Sequence, residues 1–107
     1  MTILTTMTDL EAHLDPLAKA RKIGKPESIE LLDQYYTCLL EYFCTINHIQ
    51  DLSGVQLTSL PIVPFNFDER LDYIEERKHH YMGYQQMKTL KSELVKMNAA
   101  YRAKNHS

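Results

Sequence analysis

Read for its alternation of apolar and polar positions, the chain breaks into four stretches with a period near 3.6 residues, the signature of amphipathic helices. The clearest runs from Glu27 to about Asn47, where Ile29, Leu32, Tyr36, Leu39, Phe43 and Ile46 recur at steps of three and four. Leu31, Tyr35, Leu40 and Tyr42 widen that stripe, which predicts a central helix covered on more than one side. Pro26 suits its start, and Glu27, Glu30 and Asp33 suit its N-terminal turns. Upstream, Thr8 and Glu11 have capping-box spacing around Leu10, with Leu14 and Leu17 on the same side. They predict a helix over roughly 9–22, kinked at Pro16 and stopped by Gly24. The first eight residues, Thr-rich and apolar, are expected to be loosely ordered.

Beyond Asn47 the turn residues Asp51, Ser53 and Gly54 end the second helix, and Val55 to Leu60 suit one short helical turn. The stretch PIVPFNFDERL then divides the chain. Residues before proline avoid the α region, so 61–64 are predicted to be extended, and their apolar side chains imply a path across the core. Asn66 is read as the cap of a third helix over 67–77, with Glu69 at its third position and Phe65 as a hydrophobic staple. Leu71 and Ile74 are expected to face inward. A last helix over 79–103 carries Gly83, Met87, Leu90, Leu94, Met97 and Tyr101 within roughly 80° of arc. The prediction is an all-α fold: one domain over 1–107, a compact bundle of four main helices with a proline-bounded extended linker between the second and third.

Composition agrees with a folded soluble chain: 44% of the 107 residues are hydrophobic and 24% charged, with seven Tyr and three Phe to fill a core. No apolar run approaches the roughly 20 residues needed to span a bilayer, and the first residues lack a signal-peptide pattern, so the chain is expected to be cytoplasmic. Cys38 and Cys44 point in different directions on the second helix and are read as two buried thiols. The net charge of −2 conceals an asymmetry. Residues 1–76 hold five basic groups against thirteen acidic ones, and residues 77–107 hold seven against one.

The C-terminal half resembles the YpoC-like proteins of Gram-positive bacteria. The resemblance lies in YFCTINH, LTSLPIVPFNFDERLDYI and HHYMGYQQMKTLKSELVKMNAAY, over about residues 40–103. It rests on Pro64, Asn66, Glu69, Arg70, Leu71, Tyr81, Gln86, Met87 and Leu90. Where members of that family often carry a proline after the third helix this chain has Lys78, which allows the third and fourth helices to be more continuous. The resemblance implies a helical cytoplasmic protein with no catalytic signature. Its gene, in such genomes, lies near a replication-initiation protein of the DnaD type and an endonuclease III. That company points toward DNA replication or repair.

Candidate chemistry is sparse. Glu75 with His79, and Glu76 with His80, have helical ligand spacing, yet no third ligand or closing motif accompanies them, so neither a metal nor a cofactor is expected. Cys44 and His48 are four apart, but nothing orients the imidazole or forms an oxyanion hole. Three scattered glycines exclude a phosphate-cradling loop. An enzyme is not expected. The leading expectation is a cytosolic protein–protein interaction module, its interface drawn from Tyr35, Tyr36, Tyr42 and Arg70, with replication or repair proteins or a second copy of the chain as partners. The alternative is nucleic-acid binding by a basic face of Arg77, Lys78, Lys88, Lys96, Arg102 and Lys104, with Tyr84 stacking at its edge.

Overall fold

A computed structural model describes residues 2–105. Four helices, α1 (Ile3–Lys19), α2 (Pro26–Ile46), α3 (Phe67–Arg77) and α4 (Tyr81–Lys104), form an all-α bundle. Helix α1 packs on α2, α2 on α4, and α3 on α4, in a body of 45 × 26 × 21 Å. The central place of α2 matches its double stripe: Leu32, Tyr35, Tyr36, Leu39, Tyr42, Phe43 and Ile46 are all buried.

Helix α1 begins six residues earlier than the capping-box reading, which put its start near Asp9. Thr2 is the cap, its Oγ1 accepting the Thr5 N–H at 3.1 Å. The Thr6 and Thr8 hydroxyls donate back to the Thr2 and Leu4 carbonyls, so the threonines satisfy their polar groups within the helix. Of the residues expected to be loose, Met1 lies outside the described residues and Met7 is fully buried. The spacing Ile3, Met7, Leu10, Leu14, Leu17 already carries the helical period.

Nor does α1 stop at Gly24. It closes at Ala20 through a Schellman arrangement, with Lys22 N–H donating to Leu17 O at 2.8 Å and Arg21 N–H to Ala18 O at 3.1 Å. The left-handed residue is Arg21, at φ 59°. Helix α2 ends in the same way at Asn47, with His48 at φ 58° and Ile49 N–H donating to Cys44 O.

After a 3-10 turn at Leu57–Ser59, residues 61–64 run extended, and Ile62 is buried within them as expected. Asn47 holds this crossing. Its Oδ1 accepts the Ile62 N–H and its Nδ2 donates to the Ile62 carbonyl, both at 2.9 Å, so a side-chain amide pairs with backbone as a strand would.

At the head of α3 the capping pair is not formed. Asn66 makes no side-chain cap bond and sits at φ 54°, ψ 37°, a left-handed turn that asparagine tolerates. Phe65 is no staple, standing 83% exposed, and Phe67 enters the core instead, stacked on Phe43 at 4.3 Å. Leu71 is half-buried and Ile74 buried.

Helices α3 and α4 are not continuous, despite Lys78 in place of proline. The chain turns at 78–80, because Gly83 lets the first turn of α4 lie against the end of α3. A Cβ on Gly83 would stand 1.7 Å from the Arg77 carbonyl oxygen.

Candidate functional site

The tyrosines proposed as an interface are core. Tyr35, Tyr36 and Tyr42 are almost wholly buried, since α1, α3 and α4 together cover both sides of α2. Burial is affordable for Tyr35 and Tyr36 because each hydroxyl reaches a carboxylate at the surface: Tyr35 donates to Glu11 at 2.6 Å and Tyr36 to Glu75 at 2.7 Å. Tyr84, expected at the edge of a basic face, is also buried. It lies edge-on to Tyr35 and donates to Asp15 at 2.7 Å. Burial first, then the carboxylate acceptor, pushes all three of these phenols well above their ordinary value.

The same carboxylates engage the lysines. Lys91 reaches Glu11 at 2.6 Å and Lys88 reaches Asp15 at 2.9 Å, which closes two Tyr–carboxylate–Lys links between α1 and its neighbours. Burial acts to raise the Asp15 carboxyl, but hydrogen bonds from Lys88 and Tyr84 and the charges of Lys88 and Lys19 outweigh it, leaving it below its ordinary value. At the α3–α4 corner Asp33 accepts from His79 at 2.6 Å, with Lys78 at 3.4 Å. The His79 hydrogen bond, acting against burial, holds this carboxyl low. Arg77 pairs with Glu76 and lies over the Tyr73 ring. Of the six cations proposed for a phosphate face, Arg77, Lys78 and Lys88 face acids of this chain and the charge of Lys96 acts on Glu93, while Arg102 and Lys104 belong to the last turn of α4.

The metal and nucleophile arrangements do not assemble. Glu75 bonds Tyr36 while His79 bonds Asp33, so that helical pair is divided. Among the described residues no group of three or more His, Cys, Asp and Glu side chains is placed to hold a metal ion. His48 lies beyond the end of α2, and burial, then the charges of Asp51 and Glu41, push the Cys44 thiol up, the opposite of what a thiolate nucleophile requires. No helix is long and apolar enough to cross a membrane among the described residues.

Arg70, read as an interface residue, forms an ion pair with Glu93 of α4. Both guanidinium nitrogens bond that carboxylate, and Nη1 also approaches the Phe65 carbonyl at 3.4 Å. The Arg70 hydrogen bond holds the Glu93 carboxyl below its ordinary value.

This pair floors an open cleft of about 590 Å³ beside Phe65, walled by Glu69, Tyr73 and Gln86. A second groove, about 470 Å³, runs along Leu57, Leu60, Val63 and Phe67 and shares Asn66 and Glu69 with the first. Phe65 projects from the ledge between the buried Pro64 and Asn66, at the wall of the first cleft.

The family model for YpoC-like protein matches residues 1–106. The chain belongs to the YpoC-like family. The match takes in α1, well outside the 40–103 stretch on which the resemblance was read. No curated protein and no solved structure matches the chain. In this YpoC-like chain the residues that carried the resemblance divide among three tasks. Pro64, Met87 and Leu90 are buried, with Leu71 half-buried beside them. Asn66, Glu69, Arg70 and Gln86 gather around the cleft beside Phe65. Tyr81 stands apart, half exposed at the start of α4. The exposure of Phe65 had no signal in the sequence.

Proposed function

We propose that this YpoC-like chain is a non-enzymatic interaction module of the cytoplasm that docks a protein partner on Phe65 and the cleft beside it. The observation that carries the reading is an aromatic ring 83% exposed beside a cleft, where a large apolar side chain would otherwise be buried. Glu69 lines the cleft beside the ring and, like Asp68 next to it, forms no ion pair among the described residues, so the fitting partner is a protein segment with an apolar anchor flanked by Lys or Arg. DNA replication or repair machinery is the proposed setting, supported by the gene neighbourhood that the family resemblance implies.

The test is affinity capture with crosslinking from the native host, run in parallel with the unaltered chain, Phe65→Ala and Tyr81→Ala. A partner crosslinked by the first and the third but lost with Phe65→Ala is the expected result. Capture that is indifferent to Phe65, or a Phe65-independent dimer as the sole associated species, would overturn the proposal.

A further inference from the structure

A second exposed aromatic lies in a setting of opposite charge. Tyr81, half exposed at the first position of α4, forms the common wall of two adjoining clefts of about 400 and 310 Å³. Both clefts also share Ala18 and Lys19; one adds Arg21 and Ile23, the other Lys88. They make one open trough with an aromatic ring at its middle and cations along it.

Of its cations, Lys19 ends α1, Arg21 lies in the loop that follows, and Lys88 comes from α4. Residues 19–25 hold Lys19, Arg21, Lys22 and Lys25 and no acid, and among the described residues none of the four forms an ion pair with a carboxylate. Asp15, the one carboxylate in the trough, is already bonded by Lys88 and Tyr84. The loop is tightly built. Gly24 N–H donates to the buried Ser28 Oγ at 2.8 Å, and that hydroxyl donates to the Lys25 carbonyl at 2.9 Å. Gly24, at φ 94°, lies so close to the α3–α4 corner that a Cβ there would stand 2.9 Å from the His79 carbonyl oxygen. That approach sets the basic loop beside Tyr81.

Arg21 supplies an independent observation. It occupies the left-handed position of the Schellman turn, where glycine or asparagine is at ease and a long side chain is strained. Local structure would favour glycine here, yet the residue is an exposed arginine lining the trough.

We propose that this trough binds single-stranded nucleic acid, with an unpaired base stacked on Tyr81 and successive phosphates on Lys19, Arg21 and the loop lysines. Stacking needs a base free of its duplex partner, and an open trough with one ring and a short row of cations matches a few nucleotides of single strand. The surface differs from the far half of α4 and from the Phe65 ledge, and the inference does not depend on the protein-docking proposal.

Fluorescence anisotropy with labelled oligo(dT) of about 15 nucleotides, titrated with salt from about 50 mM upward, tests it. The intact chain is expected to bind with an affinity that falls as salt rises, at a log–log slope of about −2 to −3 for three or four phosphates. Tyr81→Ala should weaken binding by roughly tenfold, the loss of one stacked base. Arg21→Gly should lower affinity and make the salt slope shallower by about 0.7, while its thermal unfolding midpoint holds or rises. That opposite movement of binding and stability excludes misfolding as the cause. The double variant Lys96→Glu, Arg102→Glu on α4 should bind as the intact chain does. The proposal is overturned by an absence of salt-sensitive oligo(dT) binding, or by loss of binding with the α4 variant but not with Arg21→Gly or Tyr81→Ala. Binding to phosphatidylglycerol vesicles without binding to oligo(dT) overturns it equally.

Discussion

Phe65 and Tyr81 are both exposed aromatic rings at the head of a helix, and almost everything else about them differs. Phe65 shares its cleft with Glu69 and the Arg70–Glu93 pair; Tyr81 shares its trough with Lys19, Arg21 and the Lys88–Asp15 pair. Phe65 belongs to an extended crossing held from behind by one buried amide, Asn47. Tyr81 belongs to a corner held by backbone approach, with Gly83 against Arg77 and Gly24 against His79. A side-chain clamp can be removed while the helices remain, whereas a backbone approach cannot be altered without moving two elements. The two surfaces should therefore respond differently to substitution.

The corner should be the more brittle. Gly83→Ala places a Cβ 1.7 Å from the Arg77 carbonyl oxygen, and neither backbone can yield. The expected loss is at least about 3 kcal/mol in urea unfolding, or failure to fold. An unchanged midpoint would mean that α3 and α4 do not meet as described.

Asn47→Ala comes next. It strips the Ile62 N–H and carbonyl of their buried partners, at about 2–4 kcal/mol. Here the helices should survive: helical circular dichroism is retained, amide exchange at Ile62 accelerates, and Phe65-dependent crosslinking falls. Oligo(dT) binding at the Tyr81 trough should be preserved, which separates the two surfaces. Equal loss at both would join them into one cooperative unit.

The sequence disclosed the four helices and the buried crossing because those follow from periodicity and proline, which act locally. The period also ran through Ile3 and Met7, but a capping-box match at Thr8 drew the start of α1 too late. What stayed hidden was non-local. Seven tyrosines look alike in a sequence. Tyr35 and Tyr84 are buried because each hydroxyl meets an acid of α1, a pairing that spans 24 residues in one case and 69 in the other. Charge misled in the same way. The basic C-terminal segment has Lys78, Lys88 and Lys91 paired with acids, whereas the half that reads as acidic gathers four of its five cations at residues 19–25 and pairs the fifth, Arg70, with Glu93 of α4.

Acid should weaken both regions by a smaller amount. Asp15 and Asp33 on the Tyr81 side, and Glu93 beside Phe65, have folded values below the ordinary 3.8, 3.8 and 4.5. A depressed carboxylate stabilises the fold fully above its unfolded value, and that contribution disappears as pH falls through the folded one. Stability should be level above about pH 5 and decline below it. The three side chains are 41–47% exposed, so solvent screening limits each pair to about 1 kcal/mol or less. Arg70→Met should remove the Glu93 share of the decline and leave the Tyr81 side's share intact. A pH profile identical to that of the unaltered chain would show that Arg70 is not what stabilises the Glu93 carboxylate.

The smallest effect bears on how Phe65 is presented. Were Asn66 a side-chain cap, Ser would replace it at no loss and Gly at a few tenths of a kcal/mol. At φ 54° with no cap bond, the order inverts. Glycine takes the left-handed conformation without a Cβ penalty, though it adds freedom to the unfolded chain, so Asn66→Gly should change stability by less than about 0.5 kcal/mol. Serine, an excellent cap but strained in that conformation, should cost about 1 kcal/mol. The ranking Gly at or above Asn, and Asn above Ser, in chemical denaturation is the expected result. Ser equal to Asn would restore the capping pair and leave the ledge under Phe65 held by a side chain after all.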